Sequence, residues 1–159
     1  MSQAGGAIVI GAGLAGLTAA ISLLEEGWQV EVIEARGRVG GRTWSKPLDS
    51  GAVIEMGAEF ILPGSTAVRE LASGLGLDLW DKGVRYANRQ PRGDGFDDSS
   101  SDRAIADRLP TRELISALLE PVGPFAFAGE HTAGEYCGLM EGAVRSGRTA
   151  AERLVRTAE

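Results

Sequence analysis

Cysteine, histidine and lysine are scarce in this chain of 159 residues. The lone cysteine, Cys137, excludes an internal disulfide and fits a reducing compartment, so a cytoplasmic setting is expected. Its place ahead of a helix start predicts a buried or half-buried thiol. No run approaches the roughly 18 apolar residues of a membrane span. Residues 7–24 are apolar enough to mimic a secretory signal, but they lack a basic leader and glycines break them in the wrong places. Basic residues are outnumbered, 16 against 22 acidic, leaving a net charge of −6. That balance argues against nucleic acid and anionic membrane as partners. The aspartates between 94 and 102 stand among serines without ligand spacing, so no metal site is expected.

Glycine, by contrast, is abundant: 23 residues, about twice average usage. Many of them fall where backbone must turn sharply or approach a ligand closely. The length suits one domain, large enough to bury roughly 68–70% of the surface its unfolded chain exposes. Ala7 to Ile10 is a short apolar run, as in a buried parallel strand. Leu14, Leu17, Ile21 and Leu24 then recur at helical spacing, and Gly27 supplies a stop. Gln29 to Glu34 alternates like a second strand. The order strand, helix, strand predicts a right-handed crossover and a parallel pair. Turn residues between Thr43 and Ile61 suggest a hairpin, and Ser65 to Leu75 a helix capped by Ser65 or Thr66, with Val68, Leu71 and Leu75 on one face. Residues 88–102 have the composition of a linker. Short helices are expected over 103–109 and 111–119. A strand is expected over Phe125 to Ala128. A last helix from Gly138 to about Arg156 would bury Met140, Ala143, Val144, Gly147, Ala151, Leu154 and Val155. The fold class is α/β: a Rossmann-like parallel sheet with flanking helices.

The chemistry begins at Gly11-Ala-Gly13-Leu14-Ala15-Gly16. Gly11 allows the tight strand-to-helix turn, Gly13 lets backbone approach a pyrophosphate, and Gly16 lets helix and strand pack closely. Phosphate then meets the free N–H groups at the helix start. Such a motif alone is weak, but this one follows a strand and opens a helix. Glu34 lies 18 residues past Gly16, in the window for a carboxylate that grips a ribose hydroxyl. NAD and FAD both satisfy these residues. Val39-Gly40-Gly41-Arg42 then puts small residues and a guanidinium where they can reach the pyrophosphate. Arg36 lies next to the adenosine end, and Arg38 is equally compatible with a solvated role.

With these residues the chain resembles the flavin-dependent amine oxidase superfamily of monoamine, polyamine and L-amino-acid oxidases. Glu34-Ala35-Arg36 and Gly40-Gly41-Arg42-Thr43 look like its FAD-adenosine and pyrophosphate segment. Val53 to Phe60, with Gly57-Ala58-Glu59-Phe60, looks like the stretch beside the isoalloxazine ring. Gly129-Glu130 looks like the C-terminal turn whose Glu binds the ribityl–phosphate region. Leu139-Met140, within Gly138 to Ala143, looks like the helix start facing the flavin pyrimidine edge. The resemblance implies FAD as cofactor and oxidation of a small amine or amino acid by O2. It divides a single FAD-binding domain into an N-terminal half (1–87), a connecting stretch in place of a substrate domain (88–122) and a C-terminal half (123–159).

The departures matter equally. Family members carry a large substrate domain between the two halves, and an active-site lysine. The two lysines here, Lys46 and Lys82, fall outside any segment like the lysine motif. Leu139 stands where the monoamine-oxidase branch often has an aromatic residue. No catalytic residue is therefore assigned. The competing expectation is a minimised, partner-dependent or self-associating FAD module, such as half of a split enzyme. An NAD-binding dehydrogenase-like domain would leave the C-terminal motifs without a purpose. Four further residues invite a role. His131 is expected to be a hydrogen-bonding turn residue rather than a general base. Trp28 is expected to pack, Trp44 is open between packing and ligand contact, and Trp80 is expected to have faced a domain that is not in this chain.

Overall fold

The structure, a computed structural model, describes residues 5–81, 83 and 117–158. The expected linker over 88–102 and the helix over 103–109 lie outside the described residues, as does most of the one over 111–119.

Strand β1 (Gly6–Ile10), helix α1 (Leu14–Glu25) and strand β2 (Gln29–Ile33) form the expected unit. The strands pair in parallel, from Gly6 opposite Gln29 to Ile10 opposite Ile33. Helix α1 stops at Gly27, whose φ of +80° suits glycine. Its N–H donates to the Leu24 carbonyl (2.9 Å) and that of Trp28 to Leu23 (2.9 Å), a paired closure of the last turn. Trp28 packs as expected: a Cβ on Gly5 would lie 2.7 Å from its ring. The hairpin forms too, as β3 (Ser45–Pro47) against β4 (Val53–Glu55).

Helix α2 (Thr66–Gly74) and the long C-terminal helix α3 (Met140–Ala158) follow, with two 3-10 turns, Glu130–Thr132 and Gly134–Tyr136, ahead of α3. Helix α3 crosses α1 closely because Gly147 has no side chain; a Cβ there would collide with the Ala15 carbonyl and crowd Thr18. The core gathers Ala67 and Val68 of α2 and Val144 of α3, with Leu14, Ile61, Leu71 and Met140 packed around them.

Five local expectations need correction. The start of α2 is capped by neither Ser65 nor Thr66: no Ser65 side-chain bond forms. The cap is Glu141 of α3, wholly buried, which accepts the N–H groups of Ala67 (3.1 Å) and Val68 (3.0 Å). A carboxylate is the stronger acceptor at a positive helix end, and Thr66 Oγ1 instead accepts from Arg145 (3.0 Å). Leu75, just past this helix, is exposed rather than on its buried face. Strand β1 is not buried on both faces: Ala7 and Val9 are half-covered, whereas Ile8 and Ile10 are 65% and 86% exposed. Helix α1 covers one side of the two-stranded sheet, and no described element covers the other.

The expected strand over Phe125 to Ala128 is reduced to one bridge, Val122 with Phe125. Gly123, at φ +58°, turns the chain back on itself there, so Phe125 bonds Val122 and no longer strand takes up the segment. Cys137 is exposed, because it sits on the turn before α3 rather than inside the helix packing.

Candidate functional site

Gly13 precedes α1 in extended backbone, and no side chain caps the helix. The Leu17 N–H donates to the Gly13 carbonyl (2.9 Å). The N–H groups of Leu14, Ala15 and Gly16 therefore have no carbonyl four residues back within the helix. A Cβ on Gly16 would collide with the Gly11 carbonyl oxygen, and Gly11 itself has φ +103°. The turn is thus a bare backbone cradle with helix-start amides at its floor.

Glu34 follows β2 directly. Its Oε2 accepts the Ala12 N–H (2.8 Å) and its Oε1 the Arg36 N–H (2.9 Å). These two bonds, Arg36's first and Ala12's second, hold its carboxyl below the usual carboxylate range. Each carboxylate oxygen keeps a second lone pair for an incoming hydroxyl. Ala35 and the Arg36 side chain are exposed beside it. Gly40 donates to the Ala12 carbonyl (2.7 Å) and bridges Gly13. A Cβ on Gly41 would lie 3.2 Å from the Gly13 α-carbon, so only glycine lets this loop press against the cradle.

Arg42 carries the site across to the C-terminal half. Its guanidinium donates to Glu130 Oε1 at 2.8 Å, while most of the Arg42 side chain stays exposed. The pair holds the Glu130 carboxyl below, and the Arg42 guanidinium above, their ordinary values. His131 sits in the 3-10 turn as expected, but its Nδ1, 3.3 Å from Glu130 Oε2, makes no hydrogen bond there. A Cβ on Gly57 would lie 2.6 Å from the Arg42 carbonyl, so Gly57-Ala58-Glu59-Phe60 runs directly beside Arg42. Ala58 takes φ +64°, strained for a residue with a side chain. Met140 opens α3, and Leu139 just before it accepts the Ala143 N–H (3.2 Å).

All the candidate residues except Glu34 and Ala35 line one groove of about 1860 Å³; Glu34 accepts the N–H of Ala12, which lies between the lining residues Gly11 and Gly13. That volume exceeds the roughly 300–1,000 Å³ of drug-sized pockets. Some lining residues carry no ligand role in the sequence motifs, among them Gly123, Pro124 and Phe125. Arg38 is not simply solvated: it donates to the Gly41 carbonyl (2.7 Å) and stacks on Trp44, its centre 4.5 Å from the ring. Trp44 lines the groove, whereas Trp80 is 87% exposed away from it. Lys46 sits in β3 and does not line it. Among the described residues no cluster of His, Cys, Asp and Glu is arranged to hold a metal, and no helix is long and apolar enough to cross a membrane.

The sequence pattern of the family described as flavin containing amine oxidoreductase matches residues 14–99 and 99–155. The chain belongs to that family, and FAD is its cofactor. Putrescine oxidase of Kocuria rosea is 49% identical over 75 residues, covering 47% of this chain and 16% of that protein. Amine oxidase [flavin-containing] B of Mus musculus is 34% identical over 102 residues, 57% of this chain and 20% of that protein. Wild-type putrescine oxidase solved with putrescine bound is 34% identical, with a TM-score of 0.45 over 72% of this chain and 27% of that one. The chain thus spans a fifth or less of the length of these two curated relatives.

The residues present fit FAD. Unspent helix-start amides and the glycine cradle suit the pyrophosphate, the Glu34 carboxylate suits a ribose diol, and Arg42 is a cation at the phosphate end.

Proposed function

We propose that this chain is the FAD-holding part of an oxidoreductase that oxidises a small amine or amino acid at the carbon beside nitrogen, with O2 as electron acceptor. The observation that carries the reading is the continuous run of contacts from Glu34 through Ala12, Gly13 and Gly40 to Arg42 and Glu130, two halves of the sequence joined around one groove. Bound FAD supplies the two-electron chemistry. The protein supplies grip and orientation. The amides of Leu14 to Gly16 and the Arg42 guanidinium hold the diphosphate charge, and Glu34 accepts from the adenosine ribose. Leu139 and Met140 bring the positive start of α3 toward the flavin end, where negative charge is favoured.

The groove of the described residues stays open, and Ile8, Ile10 and Phe125 in its lining are exposed. That observation favours a second element in the reading: the pocket that orients the amine and excludes water is supplied by protein outside the described residues, in the same polypeptide or another chain. The likeness to putrescine oxidase makes short aliphatic amines the first substrates to try.

The test is to load the purified chain with FAD and follow peroxide release and anaerobic bleaching across a panel of amines and amino acids. Retained FAD with no turnover by the chain alone is expected. Peroxide release by the chain alone would sink the need for further protein. Failure to retain FAD would sink the cofactor-holding role.

A further inference from the structure

We propose that Ser146 of α3 is a positioning residue for the flavin-ward half of the cofactor, acting through the Gly129–Glu130 turn. The inference rests on the FAD reading above. Ser146 is 8% exposed and lies outside the cofactor groove, bordering a separate cavity of about 660 Å³. Its Oγ accepts the Gly129 N–H (3.0 Å) and donates to the Ala143 carbonyl of its own helix (3.0 Å). The other end of the same residue is held as firmly. The Gly129 carbonyl accepts both the backbone N–H (3.0 Å) and the hydroxyl (2.8 Å) of Thr132, which is 4% exposed. The His131 ring lies so close over the Gly129 α-carbon that a Cβ there would collide with it. Gly129 is therefore fixed by α3 on one side and by its own turn on the other. The next residue is Glu130, the acid that meets Arg42 across the groove.

The order of contacts along the groove says which half of the ligand this turn serves. Glu34 marks the adenosine ribose, and the Gly13 to Gly16 amides mark the diphosphate. Gly41 presses on Gly13, Arg42 follows Gly41, and Glu130 follows Arg42. The turn held by Ser146 thus lies beyond the diphosphate, away from the adenosine. Loss of the Ser146 hydroxyl removes the acceptor of a part-buried N–H and frees Glu130 to shift. A buried donor left without a partner is costly enough to move the turn.

The experiment compares wild type, S146A, E130Q and the S146A/E130Q double variant, using the whole chain. Affinities for FAD and for ADP are measured by calorimetric titration, with the melting temperature of each cofactor-free variant. S146A is expected to weaken FAD about tenfold or more and ADP by less than about twofold. If Ser146 acts through Glu130, the double variant binds FAD no more weakly than E130Q alone. S146C, close in volume and a weaker acceptor, is expected to fall between wild type and S146A, and it carries the test should S146A not fold. Equal losses for FAD and ADP, or additive losses in the double variant, would overturn the proposal by showing a merely structural role. Wild type binding neither ligand would overturn the FAD reading, and this proposal with it. Wild type binding both, with S146A unchanged, would overturn this proposal alone.

Discussion

Replacing Glu141 by alanine is expected to unfasten α2 from α3 and to cost the fold about 3–5 kcal/mol, the usual loss when one partner of a buried charged network is removed. The figure follows from what Glu141 holds. Its carboxylate is wholly buried and accepts the N–H groups of Ala67 and Val68, residues only 4% and 7% exposed, and the Arg145 Nε at 2.6 Å. Without it those two amides at the start of α2 lose their acceptor, each at about 1–3 kcal/mol. The cost of burying the carboxylate is recovered at the same time, which keeps the net loss below the sum. Against a typical stability of about 5–15 kcal/mol the change is large. Glu141→Gln, which keeps one carbonyl oxygen of similar shape, is expected to lose less than half as much.

The same site gives a pH signature. Burial alone, the largest single influence, would raise the Glu141 carboxyl; the Val68 and Ala67 amides and the Arg145 guanidinium together outweigh it, and the pKa lies below the ordinary value. A carboxyl whose folded pKa is depressed contributes stability that is complete above its unfolded value, near about 4.3, and lost as pH falls through the folded one. Urea unfolding followed by far-UV circular dichroism, at pH 7 and in steps down to pH 3, measures both effects. The gap between wild type and Glu141→Gln should be widest at pH 7 and close in acid. A Glu141→Ala chain within about 0.5 kcal/mol of wild type at pH 7, or a gap that widens below pH 4, would refute the reasoning.

Three further outcomes are expected. Glu34→Ala should weaken FAD about tenfold or more in calorimetric titration; because the Glu34 carboxyl sits below its ordinary range, wild-type affinity should stay flat from pH 8 to 6 and fall only in stronger acid. Gly16→Ala should abolish FAD retention on a desalting column, since the added Cβ collides with the Gly11 carbonyl and must part β1 from α1. Ala58→Gly should leave the fold unchanged and raise stability by up to about 1 kcal/mol in thermal unfolding, because φ +64° strains alanine and not glycine.

The first strand–helix–strand unit was legible because its punctuation is local. Gly11, Gly16 and Gly27 each stand where the backbone needs glycine, and Glu34 falls at the spacing that lets it reach back to the Ala12 amide. Burial was less legible. An apolar run such as Ala7 to Ile10 looks the same whether both faces are covered or one, and Ile8 and Ile10 are bare because coverage depends on distant chain. Glu141 was hidden for a related reason. An acid one residue into a glycine-rich helix start looks like a surface charge, and its two amide partners lie 74 and 73 residues away. The Arg42–Glu130 pair joins residues 88 apart, each singled out for cofactor contact and neither for contact with the other. Ser146 offered no signal, since a serine beside Gly147 in a helix of small residues reads as packing.

The most direct test of the account is an FAD titration of the purified, flavin-free chain, followed by the visible spectrum and by flavin retained after ultrafiltration. Saturable binding of one FAD per chain, with a perturbed two-band spectrum and a dissociation constant in or below the micromolar range, is the predicted result. FAD that passes wholly through the filter, with a spectrum identical to the free cofactor, would contradict the claim that these two halves of sequence fold around one flavin site.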